Sequence, residues 1–164
     1  HGAPELVIHT PGAAYRSPTI ETSSEMFEAL WRHSCFGAFL IGRAAAQSML
    51  AMGRGTIMFS GAAASVRAGD GFSGFASAQF ALRALAQSMA RELGPKGIHV
   101  THLIIDGVVD GSARSDGFPD RAGTVPPGGL IKPEAVADTC LRLHRQARSA
   151  WTFELDIRPF SEEF

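Results

Sequence analysis

One long amphipathic segment between two apolar runs constrains the fold of this chain more than any other feature. Residues 74–93 carry apolar side chains at the three-to-four spacing of one helical face. Gly94-Pro95 follows at once and predicts the helix end, because glycine accepts the left-handed conformation and proline cannot continue a helix. The flanking runs 56–59 and 98–105 are typical of strands buried on both faces. The stretch from Gly55 to Ile105 is therefore predicted as strand, loop, helix and strand.

The same helix carries a second stripe that consists only of small side chains. The members of this small-residue stripe are Ser77, Ala81, Ala84 and Ser88. Because side chains of this size let another helix approach closely, we expect the stripe to be a packing surface.

The segment before this stretch is predicted as a strand followed by a long helix. Residues 5–10 are β-rich and end at Pro11-Gly12. In residues 22–25, Thr-Ser-Ser-Glu, a hydroxyl is followed three positions later by glutamate, which is the spacing of a capping box. The helical pattern then continues to about Ala51.

The segment after this stretch is predicted as a loop, a helix and a strand. Residues 106–129 are rich in glycine and long enough for a mobile covering loop. Pro133 suits the start of a helix over residues 134–147, since proline has no N–H to leave unpaired there. Residues 151–157 alternate as a final strand.

Strands that alternate with helices indicate an α/β fold with a parallel sheet and right-handed crossovers. We predict a single domain over residues 1–164, with a three-layer Rossmann-like sheet and helices on both faces. Ligands of such sheets lie beyond the carboxyl ends of the strands. We therefore expect one crevice, lined by Thr10-Pro11-Gly12, Ser60-Gly61-Ala62 and Asp106-Gly107-Val108.

Composition argues against several classes of partner. The formal net charge is −1, and the 15 Lys and Arg residues form no block, so neither nucleic acid nor an anionic membrane is expected. No apolar run is expected to reach the roughly 18–20 residues of a membrane span, and no signal peptide is visible. Cys35 and Cys140 form no close pair, which predicts buried thiols, no metal site and a cytoplasmic protein.

The histidines and one serine are weighed as site residues against structural roles. His9, His99 and His102 lie in or beside predicted strands, where a hydrogen-bonded histidine is commoner than a ligand. His33 and His144 are expected on solvated helix faces. For Ser60, lining a pocket and a purely structural role are equally expected.

Four motifs stand at the strand ends and on the long helix in one order along the chain. They are Val7 to Gly12, Gly55 to Ser60, Phe75 to Gln79 followed by Arg91 to Val100, and Asp106 to Val109. In this order they resemble the short-chain dehydrogenase/reductase family. The counterparts are its Asn-Asn-Ala-Gly strand end, its serine-bearing strand, its Tyr-x-x-x-Lys helix with the segment that follows, and its Pro-Gly turn.

The resemblance implies an NAD(P)-linked oxidoreductase that interconverts a small carbonyl and an alcohol. In the family, a tyrosine whose pKa is lowered by a neighbouring lysine exchanges a proton with the substrate oxygen. Phe75 stands at the tyrosine and Gln79 at the lysine, so the resemblance implies impaired catalysis. The family asparagine corresponds to Ser34, and its serine falls on or beside Ser60. The threonine that contacts nicotinamide corresponds to Gly111.

The resemblance also assigns a cofactor site to two of the crevice stretches. Thr10, Pro11 and Gly12, together with Asp106, Gly107 and Val108, would contact NAD or NADP. The family opens with two βα units whose glycine-rich turn holds the pyrophosphate at a helix N-terminus. The chain is predicted to lack these first βαβα units, because the Gly-x-Gly-x-x-Gly spacing at residues 69–74 follows no strand directly. We therefore expect weak or no cofactor binding by these residues alone.

Two functions follow from this reading of the residues. The first is the carboxyl-terminal portion of a short-chain dehydrogenase/reductase with substituted catalytic positions. The second is a non-catalytic relative that serves as a partner subunit or a ligand-binding module. In either case family resemblance implies a homo-oligomer through the helices at residues 26–51 and 73–93.

Overall fold

Four parallel strands form the centre of the computed structural model, which describes residues 2–12, 14–111 and 125–162. The strands are β1 (Leu6–His9), β2 (Gly55–Ala62), β3 (Ile98–Ile105) and β4 (Glu154–Ile157). They are hydrogen-bonded in the order β1-β2-β3-β4, with every neighbouring pair parallel. The predicted parallel α/β sheet is confirmed.

The helices of the described residues fall close to their predicted positions. They are α1 (Ser24–Trp31), α2 (Gly37–Met52), α3 (Ser73–Leu93) and α4 (Pro133–His144). A π-helical turn, Arg32–Phe36, joins α1 to α2 without a break in the chain's helical path. The left-handed glycine after α3 is Gly97, at φ 88°, and not Gly94 as predicted, because a 3₁₀ turn over Gly94–Lys96 extends the helix end.

The core consists of two apolar layers, one on each face of the sheet. Between the sheet and helices α2 and α3 lie Met49, Ile57, Phe59, Leu82, Ile98 and Val100. Between the sheet and α4 lie Met58, Leu103, Cys140 and Leu143. The three-layer arrangement of helices, sheet and helix is therefore confirmed.

The last crossover differs in hand from the first two. Helices α2 and α3 cover one face and α4 the other, while the strand order continues in one direction. The prediction of uniform right-handed crossovers is therefore wrong for β3-α4-β4. The long connection after β3 gives the chain enough length to change face. Residues 112–124 of the predicted covering loop lie outside the described residues.

The amino-terminal cap of α1 also differs from the prediction. The hydroxyl of Ser23, and not that of Thr22, accepts the hydrogen bond from the backbone N–H of Met26 at 3.2 Å. Thr22 donates instead to the carbonyl of Pro18 at 3.0 Å. The helix therefore starts one residue later than the Thr22-to-Glu25 spacing indicated.

The helical segment Ser24–Met52 is long and apolar enough to cross a membrane by length and composition alone. Its inner face packs on the sheet through Ala38, Ala45 and Met49, all of which are buried. A core helix that lies against a sheet meets the same criterion, so length and composition do not separate a membrane span from a core helix. It does correct the expectation that no apolar segment of such length is present.

Candidate functional site

The crevice expected at the carboxyl ends of the strands is bounded by the ends of β1, β2 and β3. Thr10 and Gly12 are exposed directly after β1, with Pro11 half-buried between them. Asp106 follows β3 and is buried, while Gly107 packs against Pro159. Because the three strands are parallel, their carboxyl ends meet at one edge of the sheet.

Phe75 and Gln79 lie one turn apart at the start of α3, and both are buried. The exposed fraction is 8% for Phe75 and 2% for Gln79. The Phe75 ring packs against the Phe72 ring with centroids 6.4 Å apart. Neither residue can supply a titratable group, because a phenyl ring has no hydroxyl and an amide carries no charge.

The hydroxyl that reaches Gln79 belongs to Ser65 and not to Ser60. Ser65 is fully buried. Its Oγ donates a hydrogen bond to Gln79 Oε1 at 3.3 Å and accepts one from the backbone N–H of Ala62 at 3.2 Å. This contact fixes the Gln79 side chain against the loop that follows β2.

Ser60 lies on the other face of the sheet because β2 continues further than the sequence indicated. Side chains alternate along the strand, with Phe59 toward α2 and α3 and Met58 toward α4. Ser60 continues the Met58 row, whereas Gly61 continues the Phe59 row and faces Ser65. The sheet therefore separates the Ser60 side chain from Gln79.

Ser34 lies in the π-helical turn between α1 and α2 and is fully buried. Its hydroxyl has no hydrogen-bond partner among residues 2–12, 14–111 and 125–162. The ring of His9 lies beside the backbone of Ser34, and burial lowers the pKa of that histidine. The turn thus directs a polar side chain into the interior at the position assigned to the family asparagine, as π-turns at functional sites often do.

Asp106 is held by two arginines from different segments. Both of its carboxylate oxygens accept hydrogen bonds from Arg67 Nη2, at 2.9 and 2.8 Å, and Arg158 Nη2 lies 3.1 Å from Oδ2. Arg67 belongs to the loop after β2, so the ion pair joins two walls of the crevice. Since charge-assisted contacts of this kind are strong, the Asp106 carboxylate is engaged in holding these walls together.

A second polar network runs from α3 across β3 to β4, with His102 buried and Arg83 and Glu154 half-buried. Arg83 donates to both oxygens of Glu154, at 2.6 and 2.8 Å, and His102 Nδ1 lies 3.0 Å from Glu154 Oε2. His102 is fully buried, its Nε2 lies beside Gly61, and this nitrogen has no hydrogen-bond partner among the described residues. Burial lowers the pKa of His102, and the Glu154 carboxylate offsets this only in part.

The described residues hold no group of three or more His, Cys, Asp or Glu side chains placed to bind a metal ion. The two cysteines, Cys35 and Cys140, are free and buried, and burial raises the pKa of both thiols. A raised pKa keeps a thiol protonated and unreactive, which agrees with a packing role for both.

Comparison with known proteins identifies the family. A family model described as enoyl-(acyl carrier protein) reductase matches residues 1–154. The chain belongs to the short-chain dehydrogenase/reductase family. A short-chain dehydrogenase from Rhodopseudomonas palustris is 46% identical, with a TM-score of 0.77. An alcohol dehydrogenase from Thermococcus sibiricus, 21% identical, has a TM-score of 0.80 and shows the shared fold.

The chain spans only part of these relatives. It covers 62% of the Rhodopseudomonas palustris chain, which in turn matches 95% of the present one. A 3alpha-hydroxysteroid dehydrogenase from Mediterraneibacter gnavus is 26% identical over 162 residues, which are 94% of this chain and 63% of that enzyme. The uncharacterized oxidoreductase YuxG of Bacillus subtilis is 33% identical over 114 residues, or 69% of this chain and 16% of its own length.

Sequence reasoning missed three residues that organise the site of this family member. Ser65 sits three positions beyond β2, and its contact with Gln79 depends on where that strand ends. His102 was considered only as a structural histidine. Arg67 had one available signal, since Asp106 stands at the family's Pro-Gly turn and a buried carboxylate needs a cation.

Proposed function

We propose that the chain is the carboxyl-terminal part of an NAD(P)-linked short-chain dehydrogenase/reductase whose own proton-transfer residues are lost. The observation that carries this proposal is the burial of Phe75 and Gln79 at the start of α3, with Gln79 tied to Ser65. A small carbonyl or alcohol is the substrate class that family membership favours. The buried free thiols agree with a reducing, cytoplasmic compartment.

The physical reason for impaired catalysis lies in the missing acid pair. Transfer of a proton to a substrate oxygen needs a group whose pKa is close to the working pH. A tyrosine reaches that range only when a nearby cation stabilises its phenolate. Phe75 removes the proton donor and Gln79 removes the cation, and the Gln79 oxygen is already engaged by Ser65.

The residues expected to contact a nicotinamide cofactor provide only part of a site. Thr10, Pro11 and Gly12 are accessible at the crevice, but the Asp106 carboxylate is engaged by Arg67 and Arg158. In the described residues no glycine-rich turn leads from a strand directly into a helix, so they provide no cradle for a pyrophosphate.

The proposal is tested by restoring the acid pair. In a polypeptide that carries this chain and binds NADPH, the double variant Phe75→Tyr/Gln79→Lys should gain carbonyl-reducing activity of about 10² to 10⁴-fold, the range of general acid catalysis. The matched controls are the two single variants, each of which restores half of the pair and should gain far less. Equal rates in the parent and the double variant would mean that the proton comes from another group.

The second candidate function is a non-catalytic relative that acts as a partner subunit or a ligand-binding module. The exposed apolar side chains on the helical layer favour it: Phe27, Trp31, Phe39, Leu40, Ile41, Leu50 and Phe80. Intact mass of the native protein separates the two candidates. An additional amino-terminal segment with a strand and a glycine-rich turn supports the oxidoreductase, whereas a native mass equal to this chain supports the partner subunit.

A further inference from the structure

A groove opens at the amino-terminal edge of the sheet, at the end opposite the crevice. It has a volume of about 250 Å³, and its walls come from the starts of β2 and β3 and from the segment after α4. The side chains that give it chemical character are Glu5, Arg54, Thr56, His144, Arg148 and Trp151. None of these residues belongs to the crevice or to its polar networks.

The groove carries one cation that no carboxylate neutralises. Arg54 Nη2 pairs with Glu5 Oε1 at 2.6 Å, which balances those two charges. Arg148 Nη2 donates to the backbone carbonyl of Gly53 at 2.9 Å, and Arg148 has no ion-pair partner within the described ranges. One nitrogen anchors the guanidinium, and its other N–H groups remain available as donors.

The other walls of the groove are held in place by contacts of their own. His144 Nδ1 lies 2.8 Å from the hydroxyl of Thr56, which is itself buried at 3% exposure. The Trp151 ring stacks on His99 with centroids 4.8 Å apart and planes within 3°. Trp151 Nε1 also donates to the carbonyl of Gln146 at 3.3 Å. The groove is therefore preorganised, which lowers the entropic cost of binding a ligand.

We infer that this groove binds a small ligand that carries a phosphate group, with Arg148 as its principal contact and the Trp151 ring beside it. A planar guanidinium with free donors matches the oxygen geometry of phosphate. The excess positive charge of Arg148 favours an anion over a cation. This inference is independent of the oxidoreductase proposal, because the site lies at the other edge of the sheet.

Trp151 provides the measurement. The sequence contains two tryptophans, so the Trp31→Phe variant leaves Trp151 as the sole indole reporter. Titration of this variant with inorganic phosphate and with pyrophosphate, at ionic strength held constant with chloride, should change its fluorescence in a saturable way. Pyrophosphate should bind more tightly than phosphate, because it presents more oxygens and more charge to the same donors.

Three further variants in the same background identify the contacts. Arg148→Ala should weaken binding by about tenfold or more, since it removes charge-assisted hydrogen bonds. Arg43→Ala is the matched control, because Arg43 is exposed on α2 and does not line the groove, and it should leave binding unchanged. Glu5→Gln removes the groove's carboxylate and releases Arg54, so it should strengthen binding.

The Glu5→Gln variant keeps the inference testable if Arg148→Ala unfolds, because its effect has the opposite sign. A fluorescence response without saturation, or one that chloride alone reproduces, would overturn the inference. Equal weakening by Arg148→Ala and Arg43→Ala would also overturn it, since that result indicates unspecific attraction to surface arginines.

Discussion

Gly61 is closely surrounded by polar side chains, and there is no space for a larger side chain at its α-carbon. A methyl group at this position would collide with His102 Nε2 and with Ser65 Oγ, both of which are fully buried. Because each of these side chains is held by a hydrogen bond to another residue, neither can move away freely. Glycine is required here for space and not for an unusual backbone angle.

The variant Gly61→Ala should therefore lower the free energy of unfolding by about 1–3 kcal/mol, the usual cost of overpacking a core. Gly94→Ala is the matched control, because Gly94 has a helical φ of −54° and no atom within 4 Å of an added Cβ. That control should be neutral or slightly stabilising. Chemical denaturation of both variants provides the comparison, and an equal loss in both would contradict the close approach at Gly61.

The buried His102 and the half-buried Glu154 make stability depend on pH in one direction. Burial lowers the pKa of His102 below its ordinary value of 6.5, and hydrogen bonds from Arg83 lower the pKa of Glu154. Both groups bind protons less readily in the folded state than in the unfolded state. Their contribution is therefore complete above about pH 6.5 and is lost as the pH falls through the folded-state pKa values.

We expect the free energy of unfolding to fall between about pH 7 and pH 5, and to fall less steeply in the variant His102→Gln. The dependence should not vanish in that variant, because burial also lowers the pKa values of His9 and His99. Urea unfolding at a series of pH values measures both slopes. Parallel curves for the parent and the variant would show that His102 titrates alike in the folded and unfolded states.

Part of this residue-level picture could be predicted from the sequence. The helical period placed Phe75 and Gln79 one turn apart on α3, and the strand ends placed Asp106 at the crevice. The contact of Gln79 with Ser65 could not be predicted, because it depends on the residue at which β2 ends. While β2 continues, its side chains alternate between the two faces, and Ser60 falls on the face away from Gln79. Contacts such as Arg67 with Asp106 join segments 39 residues apart, and local periodicity carries no information on them.

At the scale of elements, the sequence predicts the helix and strand bounds best where a single cause, such as an apolar run or a helical period, determines them. The limits of β3 and the end of α3 agree with the apolar run and the helical period that predicted them. The π-helical turn at Arg32–Phe36 was not predicted, since one extra residue in a helix leaves the apolar pattern on both sides nearly continuous. The hand of the last crossover was also not predictable, because it depends on which face α4 covers.

The cap of α1 gives a test at this scale. Ser23→Ala removes the side-chain acceptor for the Met26 N–H and should destabilise the protein by about 1 kcal/mol. Ser24→Ala is the matched control, as Ser24 is the first residue of the helix and is exposed. It should have little effect. Thermal unfolding of the two variants compares them, and an equal effect of both would mean that the Ser23 hydrogen bond contributes nothing to stability.

At the scale of the whole molecule, helices α2 and α3 expose several apolar side chains. The small-residue stripe of α3 is accessible, with Ser77, Ala84 and Ser88 exposed and Ala81 half-buried. Phe80 is exposed on the same helix, and Leu40 and Ile41 are exposed on α2. Exposed apolar side chains on neighbouring helices are typical of an interface, and we predict that two copies pack through these helices.

Such an interface would be symmetric about α3, because a two-fold contact uses the same patch of both subunits. A stable dimer buries about 1,200–2,000 Å² in total. At about 25 cal/mol per Å² of apolar area, that burial exceeds the cost of association when the helices pack closely. Close packing depends on the small side chains of the stripe, and Ala84 lies within it.

The variant Ala84→Arg should therefore convert the dimer to a monomer, because it forces a long charged side chain between the two helices. Ala137→Arg is the matched control, since Ala137 is exposed on α4, on the opposite face of the sheet. It should leave the dimer intact. Light scattering measures the mass of all three proteins. A monomeric parent, or a dimer that survives Ala84→Arg, would exclude this interface, and dissociation by both substitutions would show that added charge alone is responsible.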